Sequence, residues 1–391
     1  MDKTNITDLP LEIHEMITAL LTHHDLALST RVNQAWNRMF TPILWKHVED
    51  YTVPEVQSST DPEEEKQQEE EEQEVGSEKQ TWADKFIGCV TRGALKKHGH
   101  HIQSLRLQSD SISMRMILEN GPPTFPLLTC VCIDGMYDGE TQEDVVDFLD
   151  RCTAGLKEFV YHPRETVAPA SSYLEFRDFA VEALVKHATT LEVFLMDGNY
   201  ACYEGEINRM LCSLPNLKVF YIGTSRVDMR GGSLTAQEIV NSEWVCKNLE
   251  VFGCGIKGIP RPDIQPANKY FRAGTVEESL EVHHQVYAML GKLTKLRELT
   301  LRSYVVRPAH WGPPPTVDIY RQYGCLAMTL ESGLDLLKNL KDLELVVFYD
   351  AEIGLHRRAE QKWVSRNWPH AVIKCSQYIP YYEDEESEEE E

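Results

Sequence analysis

Four clusters in this sequence have residue types able to do chemistry, and each lacks a partner that the chemistry requires. The tract Lys97-His98-Gly99-His100-His101 offers several imidazoles. No cysteine or carboxylate stands at ligand spacing beside them, so it reads as a solvated turn leading into a strand rather than a metal site. His23-His24-Asp25 sets an acid beside two bases, but it lies between two apolar periodic segments, where Asp25 serves as a helix cap. Cys130 and Cys132 flank Val131, so on a strand both thiols share one face. A nucleophile would also need a positioned histidine, which the surrounding sequence does not supply. Gly231-Gly232 is an isolated pair without the spacing of a phosphate-binding loop. The sequence therefore predicts no catalytic residue, no metal ligand and no cofactor, and the chain reads as a binding protein rather than an enzyme.

Composition narrows what it binds. The 391 residues include ten scattered cysteines that form neither a disulfide framework nor a zinc ribbon, which predicts a reducing compartment, cytoplasm or nucleus. No run approaches the roughly 18 apolar residues of a membrane helix, and Met1 to Asp8 lacks the basic and apolar regions of a signal peptide. The net charge of -23 is concentrated in two places. Residues 61–80 hold ten acids against Lys66 and Lys79, and residues 383–391 hold eight acids and no base, leaving only -7 elsewhere. Such a chain is repelled by phosphate backbones, so no nucleic-acid partner is expected, and no membrane partner either.

The elements that would position a binding surface show as an internal repeat. Its unit is an apolar residue, two variable residues, an apolar residue, one variable residue and a third apolar residue. It recurs eight times: Ile102/Leu105/Leu107, Leu128/Val131/Ile133, Leu156/Phe159/Tyr161, Leu191/Phe194/Met196, Leu217/Phe220/Ile222, Leu249/Phe252/Cys254, Leu296/Leu299/Leu301 and Leu340/Leu343/Leu345. A short strand explains the spacing, because the second and third apolar positions point the same way on a period of two. Helical periodicity lies between, as at residues 176–187 and 276–292. Units of strand, turn and helix cannot bury their apolar faces singly, so they must stack into a curved solenoid with a parallel sheet on its concave side. This resembles the leucine-rich-repeat family, without the usual asparagine after the third apolar residue and with irregular spacing of 26 to 47 residues.

Ahead of the repeats, Leu9, Ile13, Ile17 and Leu21 recur every four residues, with Pro10 opening the first helix. A second short helix follows Asp25, and a third carries Trp36 and Phe40, before a last turn from Thr41-Pro42 with Leu44 and Trp45. So many apolar positions in about 40 residues cannot all be buried internally, which leaves some for a partner. Leu9-Pro10, Glu12-Ile13, Ile17, Leu21, Asp25-Leu26, Val32, Trp36 and Leu44-Trp45 stand at the spacings of the F-box family, which this segment resembles. The whole resembles a fungal-type F-box protein with leucine-rich repeats. The resemblance implies docking on a Skp-type adaptor, and through it a cullin-RING ubiquitin ligase, with the repeats holding the protein to be modified. The alternative is a repeat scaffold that binds partners without recruiting a ligase.

The expected organisation is α/β: a three-helix F-box at 6–50, an acidic disordered insert at 55–80, an irregular leucine-rich-repeat solenoid at 82–378 and an acidic disordered tail at 379–391. The resemblance assigns Leu9, Pro10, Ile13, Leu26, Val32, Trp36 and Trp45 to the adaptor contact or the packing behind it. For the substrate, the variable strand positions give a row of Arg106, Cys132, Val160, Leu195, Tyr221, Gly253, Thr300 and Glu344 with an apolar middle, flanked by Val193, Val219 and Val251. Long loops at residues 255–274 and 302–324 add arginines and aromatics, including Arg272, Arg302, Arg307 and Trp311, a composition suited to acidic peptides such as the chain's own tail.

Overall fold

The computed structural model describes residues 10–49, 86–107, 113–134, 141–162, 175–196, 201–202, 204–223, 232–260, 274–303, 326–349 and 358–376. The acidic insert and the acidic tail lie outside them. The described residues form a parallel sheet with helices stacked on one side, as the repeat requires. Its strands are β1 (His47–Glu49), β2 (Ser104–Leu107), β3 (Cys130–Asp134), β4 (Glu158–His162), β6 (Val193–Met196), β8 (Val219–Ile222), β10 (Val251–Lys257), β11 (Glu298–Ser303), β12 (Leu345–Tyr349) and β13 (Val372–Ser376), adjacent in that order. The short β9 (Ser233–Thr235) also pairs with β10, and β5 (Glu175–Phe176) pairs with β7 (Ala201–Cys202) in a separate two-stranded sheet. Sheet order following chain order is the topology of a leucine-rich-repeat solenoid.

The register explains the apolar spacing. Leu105, Val131, Phe159, Phe194, Phe220, Phe252 and Leu299 lie opposite one another across successive strands, and all are buried. Four of them form an aromatic spine, with stacked ring pairs Phe159–Phe194, Phe194–Phe220 and Phe220–Phe252 at centroid separations of 6.1, 5.6 and 6.2 Å. Each such pair contributes about 0.5–1.5 kcal/mol beyond the burial of its area. The last repeat stands three residues later than the leucine spacing places it: Leu299 pairs with Val346, so the unit is Leu343/Val346/Phe348 rather than Leu340/Leu343/Leu345. Leu340 is buried too, packing just ahead of the strand, and its Leu-rich neighbourhood fits the same spacing in two frames.

At the other end the sheet begins before the acidic insert. Val48 of β1 pairs with Leu105, which places Trp45 at the position that Ile102 holds in the next unit. Trp45 packs against the solenoid core and stacks on His98 at 5.2 Å. Three helices lead into β1: α1 (Leu11–Thr18), α2 (His23–Ser29) and α3 (Gln34–Leu44). The Pro10 carbonyl accepts the amides of Ile13 and His14, so the proline stands just ahead of the first helix. The cap of α2 is Thr22 rather than Asp25, because Asp25 is the reciprocal half of a capping box in which each side chain accepts the other's backbone N–H. Pro42 starts no new turn and lies inside α3, which runs unbroken from its cap at Asn33.

Neighbouring repeats are also joined by polar groups. The N–H of Leu156 donates to His187 Nδ1, which leaves Nε2 as the donor to the Leu149 carbonyl and fixes a neutral ring, consistent with a pKa lowered by burial. Asp144 closes a capping box with Thr141 and accepts two bonds from Arg115 of the preceding helix. Burial alone would raise its pKa, but the Thr141 bonds and the guanidinium outweigh burial and hold it below the ordinary 3.8.

Two outcomes follow for stability. Phe220→Ala opens a cavity in the spine and is expected to cost about 3–5 kcal/mol in a denaturant titration, with Phe220→Leu costing less because it refills part of the space. Asp144→Asn is expected to destabilise by about 1–2 kcal/mol at neutral pH. Since the carboxylate's pKa is lowered on folding, its contribution is complete above 3.8 and is lost as pH falls through the lower folded value, so variant and wild type should converge in acid.

Candidate functional site

Two surfaces of the described residues gather apolar groups side by side. The first is on the helical unit, whose interior is small. Leu26 and Phe40 are buried, and Trp36 is half-buried, meeting Phe40 edge-on at 5.5 Å. Around this packing Ile13 is 38% exposed, Met16 65%, Leu20 86%, Leu28 47% and Val32 60%. Pro10 is exposed as well. The residues assigned to the adaptor contact thus divide: Pro10, Ile13 and Val32 face outward, Leu26 and Trp36 pack behind, and Trp45 belongs to the solenoid joint. Leu9 lies outside the described residues. Met16, Leu20 and Leu28 were missed, although the four-residue periodicity carried the signal for the first two.

The second surface is the open face of the sheet, away from the helices. Its central row, following the ladder, is Glu49, Arg106, Cys132, Val160, Leu195, Tyr221, Gly253, Thr300, Val347 and Lys374. Val347 replaces Glu344, a consequence of the corrected last unit. Val193, Val219 and Val251 pair side by side as a flanking row. These valines, Leu195 and Tyr221 are half-buried, while Val160, Gly253, Thr300 and Val347 are buried, so the patch is less open than a free apolar surface. Side chains on strands about 4.8 Å apart shade one another. Gly253 shows how closely: a methyl at its Cα would overlap Cδ2 and Cε2 of Tyr221, whose ring lies down across β10. Glycine there sets the aromatic flat against the sheet. Cys130 and Cys132 are half-buried beside a buried Val131, as the strand period requires, and burial raises the Cys130 pKa.

Charges border this face. Arg106 lies 3.4 Å from Glu158 and 3.9 Å from Glu49. At the strand entries Lys157, Glu192, Lys218, Glu250, Arg297 and Glu344 alternate in sign from one repeat to the next. Lys218 meets Glu192 at 2.6 Å and Arg297 grips Glu344 at 2.7 and 2.9 Å. The bond and charge of Lys218 lower the Glu192 pKa, and Glu344 likewise raises that of Arg297. This alternation is written in the second position of the six units from Leu156 onward, outside the clusters read for chemistry.

The arginine-rich loops start later than expected. Residues 255–257 belong to β10, with Ile256 buried, and Arg302 belongs to β11, where its backbone lies opposite Gly255 and Tyr349. A glycine and an arginine suggest a loop, but here they continue a ladder that β9 and β12 extend. Arg272, Arg307 and Trp311 lie outside the described residues. Because all the main strands are parallel, the chain leaves β1, β10, β11 and β13 from the same edge of the sheet. Residues 97–101 form a helix end and a short 3-10 turn, and among the described residues no group of three His, Cys, Asp or Glu is placed to hold a metal ion. Nor is any described helix long and apolar enough to cross a membrane.

The fold and these two surfaces define a leucine-rich-repeat-like solenoid with a helical unit joined to its first strand. No family model matches the chain, and no curated protein matches it. Among solved structures, a leucine-rich-repeat protein of Leptospira interrogans aligns over 71% of this chain and 91% of its own, at 13% identity and a TM-score of 0.23. The class rests on this chain's own ladder rather than on that likeness.

The contact between Tyr221 and Gly253 can be tested directly. Gly253→Ala is expected to lift the ring and cost about 1–3 kcal/mol as an overpacked site, while Tyr221→Ala combined with Gly253→Ala should cost less than the sum of the two single changes. Additive denaturation energies would mean that the ring does not rest on β10.

Proposed function

We propose that this protein is the substrate-recognition subunit of a Skp-cullin-F-box type ubiquitin ligase. In this reading the helical unit is the F-box and docks on a Skp-type adaptor, while the open sheet face holds the protein to be modified. The observation that carries it is the exposed apolar set Ile13, Met16, Leu20, Leu28 and Val32 on a unit of about 40 residues whose sequence spacing resembles the F-box. Five large apolar side chains in water on so small a unit call for a partner. The apolar middle of the sheet face supports the second half, since a partner can complete the burial that the neighbouring strands only begin. The chain does no chemistry of its own in this reading, and ubiquitin transfer belongs to the ligase that it recruits.

Ile13→Asp with Val32→Asp places charge on two solvent-facing positions and should leave thermal unfolding unchanged. Capture of a purified Skp-type adaptor by the full-length protein should fall at least about tenfold, as expected when apolar anchors meet a desolvated charge. Undiminished capture removes the docking assignment. Capture of the adaptor without a cullin would favour an interaction scaffold over a ligase subunit.

A further inference from the structure

The junction between the helical unit and the first repeat gathers histidines and other basic groups that the proposed function does not use. His47 of β1 faces His23 of α2, Lys46 and Glu49 of its own segment, and Arg106 of β2. On the repeat side His98 stacks beneath Trp45 at 5.2 Å and faces Lys97, His100 and His101. The rings of His100 and His101 are 3.9 Å apart. Among the carboxylates in contact with these groups, Glu49 is 4.0 Å from His47 and 3.9 Å from Arg106, and Glu158 meets Arg106 from its other side.

We propose that this junction is a pH-sensitive joint: as pH falls through the histidine range, the helical unit and β1 come away from the first repeat while the later repeats stay folded. Protonation of His47, His98 and His101 adds positive charge to a place that already holds Lys46, Lys97 and Arg106. The attachment is slender, because β1 has three residues and only β2 as a neighbour. Edge strands with few bonds open at far lower free energy than a core. Burial first, and then neighbouring cations and histidines, lower the pKa of His47, His98 and His101. Groups so depressed contribute stability that is complete above the ordinary 6.5 and is lost as pH falls through their folded values. Trp45 transmits the effect, since it belongs both to the end of α3 and to the packing on the repeat core. The joint does not depend on what the helical unit docks to.

Hydrogen exchange of the full-length protein at pH 7.5 and 5.5, corrected for the intrinsic chemical rate, tests this. Residues 40–49 should lose protection severalfold at the lower pH, while β10 keeps its own. The triple change His47→Gln, His98→Gln, His101→Gln should abolish the difference, and the milder His47→Gln, at a half-exposed side chain, should shrink it. Glu49→Gln, which removes the carboxylate facing both His47 and Arg106, should enlarge it. Equal protection of residues 40–49 at both pH values overturns the proposal, as does a matching loss in β10. So does a pH effect that survives intact in the His47→Gln chain.

Discussion

One backbone relation underlies the structure: the carbonyl of each strand-entry residue accepts two successive amides from the next repeat. Lys46 accepts from Gln103 and Ser104, Gln103 from Thr129 and Cys130, and the same step runs through Thr129, Lys157, Glu192, Lys218, Glu250 and Arg297. At Glu344 it ends with the amide of Val372. The distances stay between 2.7 and 3.1 Å across intervals of very different length. Long and short repeats can therefore follow one another because the bonds constrain only the strand entry, and the chain between strands is free to vary.

The side chains add what backbone bonds lack, which is a preference for one neighbour over another. Stacked phenylalanines give the middle repeats a common interior, and the alternating charges at the strand entries oppose any sliding that would bring like signs together. Exposed ion pairs of this kind are screened by solvent and contribute little to stability each, so their part is in register more than in energy. Buried polar bridges such as His187, and the Tyr287 hydroxyl donating to the Ala327 carbonyl, tie each repeat to particular backbone groups of the next. Each would leave an unpaired buried group if the stack were shifted.

The same relation sets where the helical unit stands relative to the sheet. Because the staircase starts at Lys46, the helical unit is continuous with the sheet, and its outward apolar residues hold a fixed place relative to the open face. While β1 stays paired with β2, a partner on the helices and a partner on the strands would be held at a separation set by that pairing. Tyr221, set flat by Gly253, gives the sheet face one preorganised aromatic in its apolar middle.

The sequence by itself determined the strand-and-helix unit, the parallel sheet and most of its register, because a period of two and a period near four are local properties of the chain. It also determined which residues sit in the apolar middle of the open face, from Val160 to Gly253. The tertiary structure alone decided three things. It moved the last unit to Leu343/Val346/Phe348, since two frames satisfy the same leucine spacing and only pairing with β11 separates them. It turned Trp45 from an end of the helical unit into the leading residue of the first repeat unit, because His47–Glu49 is too short to show a period and gains its strand character from β2. And it divided the apolar residues of the helices into Leu26 and Phe40 within and Met16, Leu20 and Leu28 without. Helical periodicity marks a face as apolar, but which part of that face finds cover depends on how the three helices cross, and that is fixed by contacts between residues far apart in the chain.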